Sequence, residues 1–187
     1  MTQTLSTVIL GIGLLIGLAT GLRAVASQSA LTFDAPDGWV AKKPASSMRV
    51  AEFTLPKTEK DPEDASLVVY YFGGTGGSVQ ANLDRWIGQM QQPDGRDSKT
   101  VAKSSALTSK AGLKITLLDI PGTYVAEVTP GSSERFNKPN FRQLAAVVET
   151  KDGPYFVKVV GPANTVARWE PSVRTFLASL RRDYLIT

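Results

Sequence analysis

Two residue types, cysteine and histidine, are absent from this chain of 187 residues. Without cysteine there are no disulfides, no thiolate metal sites and no cysteine to carry a lipid. Without histidine the chain lacks the usual acid or base of neutral pH, and it lacks the base of a Ser/His or Cys/His nucleophile pair. These absences favour a non-enzymatic protein that has no cofactor.

A cluster of acidic residues is the one candidate for a metal site. It consists of Glu59, Asp61, Glu63 and Asp64. Pro62 interrupts the cluster, and its spacing lacks the pattern of an EF-hand loop. We therefore expect a solvated loop and predict no metal.

Charged side chains are also missing from the first 22 residues, which contain an apolar run over residues 5–22. Small residues at 24–26 are typical of a signal-peptidase site and predict cleavage before Ser27. The alternative is a retained transmembrane helix, because the run falls within the roughly 17 to 25 residues that span a bilayer core. Residues 1–26 are therefore predicted to be a hydrophobic helix that acts as a signal peptide or a membrane anchor.

Glycine recurs at every fourth position of this run, at Gly13, Gly17 and Gly21. A helix face of small residues lets a second helix approach closely, so these glycines are predicted partner contacts. Glycine is also common in such segments without any packing role.

We expect the rest of the chain on the periplasmic side of the cytoplasmic membrane, or in the periplasm if the leader is cleaved.

Residues 27–187 have the length of one globular domain. The whole chain carries a formal net charge of +4, with acidic and basic residues interleaved. Nucleic-acid-binding proteins instead cluster their basic residues on one face. The sequence therefore predicts a single domain that does not bind nucleic acid.

Strand and helix patterns alternate along this domain. A continuous apolar run at residues 67–72 predicts a central strand that is covered on both faces. Apolar residues at helical spacing predict one helix capped by Ser78 and a second after residues 161–162, with Pro171 as a candidate break.

Turn residues at 109–112 and 151–153 predict two β-hairpins. Together these elements predict an α+β fold in which a largely antiparallel sheet of about five to seven strands carries helices on both faces, an α/β/α sandwich.

Residues 129–140 form the candidate binding loop. The stretch is polar, contains prolines and a glycine, and is long for a connection inside a compact domain. Its predicted partner-binding residues are Ser133, Arg135, Asn137 and Lys138.

A glycine-rich segment at residues 73–78 lies between a predicted strand and a predicted helix. Backbone amides at such a position can hold an anion, which makes Gly74, Thr75, Gly76, Gly77 and Ser78 candidate ligand-binding residues. Val79 stands where a dinucleotide fingerprint needs glycine or alanine, and no Walker lysine follows. A structural turn is the alternative, since glycine permits tight chain reversal.

At residues 33–39 the sequence Phe-Asp-Ala-Pro-Asp-Gly-Trp resembles the opening motif of PsbP-like proteins. Residues 46–53 and 153–158 also resemble exported bacterial proteins of uncharacterised role. The resemblance covers roughly residues 30–182 and implies the fold more than a function. PsbP-like proteins include an extrinsic subunit and assembly factors of a photosynthetic membrane complex, so the resemblance implies protein binding without a transferable catalytic motif.

Two functional hypotheses follow. The first is a non-enzymatic accessory domain, exported or anchored to the membrane, that binds a membrane protein complex as an extrinsic subunit or assembly factor. The second is a periplasmic protein, a small-ligand or anion binder or an enzyme, that uses the glycine-rich segment.

Overall fold

The structure of the protein is a computed structural model, and it describes residues 31–182. The predicted leader, including Gly13, Gly17 and Gly21, lies outside the described residues. From residue 31 to residue 182, no helix is both long enough and apolar enough to cross a membrane. The choice between a signal peptide and an anchor stays a prediction.

Ten strands and two helices follow one another along the described residues. The strands are β1 (Leu31–Thr32), β2 (Val40–Lys42), β3 (Arg49–Leu55), β4 (Ala65–Tyr71), β5 (Met90–Gln91), β6 (Lys103–Thr108), β7 (Lys114–Tyr124), β8 (Lys138–Val148), β9 (Tyr155–Pro162) and β10 (Arg181–Arg182). The helices are α1 (Val79–Ile87) and α2 (Ala163–Ser179), and a 3-10 turn spans Ser98–Thr100.

Eight strands form one antiparallel sheet in the order β2-β3-β4-β9-β8-β7-β5, with β6 also paired to β7. β1 and β10 form a separate antiparallel pair. The predicted α+β class and largely antiparallel sheet are confirmed. The predicted number, about five to seven strands, is too low because strands as short as β2 and β5 leave no periodic pattern in the sequence.

Both predicted hairpins are present. Residues 109–113 join β6 to β7, and Gly112 has a φ of +82°. Residues 149–154 join β8 to β9, and Gly153 has a φ of +104°. Glycine adopts this left-handed backbone without the strain that other residues meet there, which explains its position in both turns.

One face of the sheet is covered by α2. Side chains alternate along a strand, and Tyr155, Val157 and Val159 of β9 all point to this face. They pack with buried residues of α2, namely Val166, Val173, Phe176 and Leu177. The helix continues through Pro171 without a break, because its apolar stripe holds both halves against the sheet.

The other face is covered by α1 over only part of its area. Leu83 and Trp86 of α1 pack on residues of β7, β8 and β9, including Leu118, Val147 and Phe156. Each face thus carries one helix, but the second layer is incomplete. Tyr70 and Phe72 lie on the part of this face that α1 leaves uncovered, and they are half-buried. Strand β4 was predicted to be covered on both faces, but on this face it borders a groove.

Candidate functional site

The groove lies on the second face of the sheet, beside α1. Its volume is about 870 Å³, within the range of about 300–1,000 Å³ that is typical of small-molecule sites. Strands β3, β4, β8 and β9, the end of β7, the end of α1 and the β7–β8 connection form its walls. Its charged and aromatic lining includes Arg49, Glu52, Glu63, Tyr70, Phe72, Arg85, Tyr124, Glu127, Arg135, Phe136, Lys138, Phe141 and Lys158.

Two aromatic stacks line the groove. Tyr70 and Phe72 have ring centroids 5.9 Å apart and nearly parallel rings. Tyr124, at the end of β7, stacks on Phe136 of the β7–β8 connection, with 5.5 Å between the ring centroids. Phe141 of β8 lies 6.3 Å from Tyr124 by the same measure. These rings offer apolar surface on which a flat or aliphatic ligand can pack.

Lys158 faces the groove because its neighbours on β9, Val157 and Val159, pack beneath α2. Its Nζ donates to Gln89 Oε1 at 2.6 Å and to Tyr124 Oη at 3.2 Å. The described residues supply these two acceptors, whereas an ammonium group has three N–H donors, so one donor is left for a ligand. Burial, with a smaller contribution from the charge of Arg85, lowers the pKa of Lys158 to about 8.

Hydrogen bonds fix the groups around Lys158. The Gln89 N–H donates to the Trp86 carbonyl at 3.1 Å, and the Gln89 carbonyl accepts from the Val125 N–H at 2.9 Å. Gln89 is thereby held between α1 and the β7–β8 connection. The side-chain amide oxygen of Gln89 faces the ammonium. An ammonium has donors only, so it requires an acceptor at this position.

Arg85 is positioned through a buried amide. Its guanidinium donates to Asn82 Oδ1 at 2.6 Å, and Asn82 Nδ2 donates at 2.8 Å to the carbonyl oxygens of Gly76 and Ser78. Arg85 lies in the last turn of α1, where a cation also interacts favourably with the helix dipole. The glycine-rich segment thus helps to position a cation of the groove.

The charges of the groove do not balance. Of its five cations, three are paired with three of its four carboxylates, and the fourth carboxylate, Asp64, accepts from the Lys57 N–H at 2.9 Å. The pairs are Arg49 with Glu52 at 2.8 Å, Lys138 with Glu63 at 2.6 Å, and Arg135 with Glu127 at 3.6 Å. Within residues 31–182, Lys158 and Arg85 have no carboxylate at ion-pair distance. The two cations therefore form the part of the groove that is suited to an anion.

The two tyrosines of the groove stay protonated at neutral pH. Burial, followed by the effect of Tyr70, raises the pKa of Tyr124 to about 12. Burial also raises the pKa of Tyr70, which Arg49 partly offsets. Both phenols therefore keep an O–H donor, and neither supplies a negative charge that would neutralise Lys158.

Packing accounts for much of the glycine-rich segment. An added Cβ at Gly76 would lie 2.2 Å from the Phe156 ring, and one at Gly74 would lie 2.9 Å from the Asp152 carbonyl oxygen. Thr75 Oγ1 donates to the Phe72 carbonyl, and Ser78 Oγ caps α1 by accepting from the Ala81 N–H. The binding of a ligand by this segment, including Gly77, stays a prediction.

The predicted binding loop, residues 129–140, contributes directly to the groove, although its last three residues belong to β8. Arg135 and Lys138 line it together with Phe136. Ser133 and Asn137 are exposed and do not line it. The structure thus brings two of the four predicted residues to one site, while their contact with a partner stays a prediction.

Sequence reasoning missed the residues at the centre of the groove: Arg85, Gln89, Tyr124 and Lys158. One signal for Lys158 was available, since it is the one charged residue in the otherwise apolar strand β9. A charge at such a position is usually paired or functional. No comparable signal marked Gln89, which follows the end of α1 and is placed by tertiary contacts.

Comparison with known proteins finds distant structural matches at low sequence identity. No protein-family profile matches the chain, and no curated protein matches it in sequence. One similar solved structure is PA94 of Pseudomonas aeruginosa, a protein of unknown function described as a candidate regulator. It has 12% identity and a TM-score of 0.47, over 86% of this chain and 88% of PA94.

A second similar structure is CyanoP, the cyanobacterial PsbP of Synechocystis sp. PCC 6803. It has 14% identity and a TM-score of 0.44, over 88% of this chain and 99% of CyanoP. No functional residue is transferred from either protein, and membership of the PsbP-like family stays a prediction.

Proposed function

We propose that the described domain is a binding domain whose groove takes a small anionic molecule with an aromatic or apolar body. The observation that carries this proposal is the Lys158 ammonium, half-buried beside the Tyr124 ring and without a carboxylate partner in residues 31–182. Holding an unpaired cation away from water is unfavourable. A bound anion removes that cost and occupies the remaining donor.

The dimensions and lining of the groove support a small molecule as the ligand. Its volume falls in the range of small-molecule sites. The aromatic stacks offer surface for the body of the ligand, and Lys158 with Arg85 offers charge for its head. Uncharged acceptors around Lys158 leave the positive charge available, because neither Gln89 nor protonated Tyr124 neutralises it.

We infer from the apolar leader that this domain acts outside the cytoplasm, at the membrane or in the periplasm, as an accessory protein that binds its ligand without catalytic turnover. A second candidate function is binding to a membrane protein complex. Exposed apolar side chains of β2, β3 and the connection between them favour it, since exposed apolar surface is found at interfaces. They are Val40, Met48 and Val50, which are 55%, 50% and 38% exposed.

Calorimetric titration of the full chain with naphthalene-2-sulfonate tests the proposed anion site. We expect saturable binding that Lys158→Met weakens by at least about tenfold, because a hydrogen bond to a charged group contributes about 1.5–3 kcal/mol. Lys114→Met is the matched control, since Lys114 is exposed on β7 and outside the groove.

The uncharged naphthalene-2-sulfonamide separates charge recognition from simple adsorption on aromatic surface. It should bind more weakly than the sulfonate to the unmodified protein, and this difference should become smaller in the Lys158→Met variant, in which Arg85 alone supplies the charge. Equal binding of the two compounds to the unmodified protein would contradict an anion site.

A further inference from the structure

The amine of Lys158 is a nucleophile in a site with room for a substrate. Nζ lies in the groove with Gln89 Oε1 at 2.6 Å and Tyr124 Oη at 3.2 Å. An amine reacts with a carbonyl only in its neutral form, and neutral lysine is favoured where burial disfavours the charge. The shift of its pKa to about 8 gives Lys158 a larger neutral fraction at pH 7 than an ordinary lysine has.

We propose that Lys158 forms an imine with an aldehyde or ketone that also carries an anionic group. This inference rests on the proposed anion site, because Arg85 must hold the anionic group once Lys158 has reacted and lost its charge. Arg85 is suited to that role, since its guanidinium lines the groove, is fixed by Asn82 and has no carboxylate partner within the described residues.

Lys158, Tyr124 and the carbonyl compound account for every proton and electron pair of the reaction. The Lys158 nitrogen adds to the carbonyl carbon, and the electron pair of the C–O π bond moves to oxygen, which takes a proton from Tyr124 Oη. The phenolate then removes a proton from the nitrogen. The hydroxyl group takes a second proton, again from Tyr124 Oη, and leaves as water while the C=N bond forms, and the last N–H proton returns Tyr124 to its phenol. The sum is one amine and one carbonyl giving one imine and one water.

Tyr124 is the proton carrier because its hydroxyl group lies next to the amine. Its pKa of about 12 keeps the phenol protonated before the reaction, so a proton is available for the carbonyl oxygen. Gln89 has no proton of suitable acidity and acts as a positioning residue, which orients the amine through its amide oxygen.

The experiment is reductive trapping of the unmodified full chain at pH 7. The protein is incubated with 4-carboxybenzaldehyde and sodium cyanoborohydride, and the modified lysines are located by peptide mass mapping. An imine that is reduced adds the mass of the aldehyde less one oxygen atom. We expect modification of Lys158 at least about tenfold faster than of the exposed Lys114 in the same molecules, and slower modification of Lys158 by uncharged benzaldehyde.

Trapping and titration together separate this inference from the proposed function. If naphthalene-2-sulfonate binds but Lys158 is modified no faster than Lys114, the imine is wrong and the anion site stands. If neither occurs, both proposals are wrong. If benzaldehyde and 4-carboxybenzaldehyde modify Lys158 at the same rate, the requirement for an anionic group is wrong.

Discussion

At the scale of single residues, Lys158 combines a cost in stability with a proposed role in binding. Its ammonium contacts the amide oxygen of Gln89 and the hydroxyl of Tyr124, and it lies 5.1 Å from the centroid of the Tyr124 ring. These contacts return part of the hydration that the charge loses, but none of them supplies a negative charge. Binding sites often contain groups that lower the stability of the empty protein.

The substitution Lys158→Met should therefore stabilise the empty protein at pH 7. Methionine has a similar shape and removes the charge from a half-buried position, so we expect a gain of about 1–2 kcal/mol in the free energy of unfolding. Urea unfolding of both proteins measures this gain, and Lys114→Met should stay within about 0.5 kcal/mol of the unmodified protein.

The same comparison has a predicted dependence on pH. The pKa of Lys158 is lower in the folded protein, so the unfolded chain binds more protons at pH values above about 8. The unmodified protein then gains stability relative to Lys158→Met as the pH rises from about 8 towards the ordinary lysine value near 10.4. A loss of stability on substitution at pH 7 would show that Lys158 serves the fold instead.

At the scale of elements, the loop between β3 and β4 fixes the start of α2. The helix follows Pro162, which provides no side-chain cap. Asp61 takes this role from a distance of about 100 residues, since its Oδ2 accepts from the N–H of Thr165 at 2.7 Å and from its hydroxyl at 2.6 Å. Asn164 donates to Oδ1 of the same carboxylate at 3.1 Å.

Asp61→Ala should destabilise the protein by about 1–3 kcal/mol, because buried donors at the start of α2 lose their acceptor. Thermal or urea unfolding measures the loss. Glu59→Ala, in the same loop but exposed, is the control and should change little. An equal effect of the two substitutions would mean that Asp61 does not cap α2.

The carboxylate of Asp61 also gives the contact a predicted pH dependence. Hydrogen bonds, first of all from Thr165, lower the pKa of Asp61 in the folded protein. Its contribution is therefore complete above the ordinary aspartate value and is lost as the pH falls through the lowered one. The stability of the Asp61→Ala variant should therefore fall less between neutral and acidic pH than that of the unmodified protein.

The elements were predictable where a local pattern repeats. The apolar stripe of α2, the run in β4 and the glycine turns at 109–112 and 151–153 each depend on neighbours in sequence. β2 and β5 were missed because two or three residues contain no period, and their pairing partners decide their conformation. The open second face was missed because sequence does not tell how much of a sheet a helix covers.

At the scale of the whole molecule, the groove joins segments that are far apart in the chain. Tyr70, Arg85, Tyr124 and Lys158 come from β4, α1, β7 and β9. Their convergence depends on the order of the strands, which places β4 beside β9. The sequence predicted the loop that supplies Arg135 and Lys138, because its length and composition are local properties, but it could not assemble the centre of the site.

The location of the whole protein is tested by its intact mass after purification from native membranes, with associated subunits retained. A full-length mass together with stoichiometric partners is the result expected of an anchored complex subunit. A mass that starts at Ser27, without partners, is the result expected of a released periplasmic protein. Recovery of the protein from the cytoplasm alone would contradict both locations.

The pairing of β1 with β10 sets Leu31 directly opposite Arg182. Paired residues of antiparallel strands have Cα atoms about 5 Å apart, so the described chain returns almost to the point where it starts. The first and last described residues are therefore neighbours in space. A linker of a few residues from 182 to 31 would join them, and a domain with adjoining ends can be inserted into a surface loop of a host protein or circularly permuted without altering its strand order.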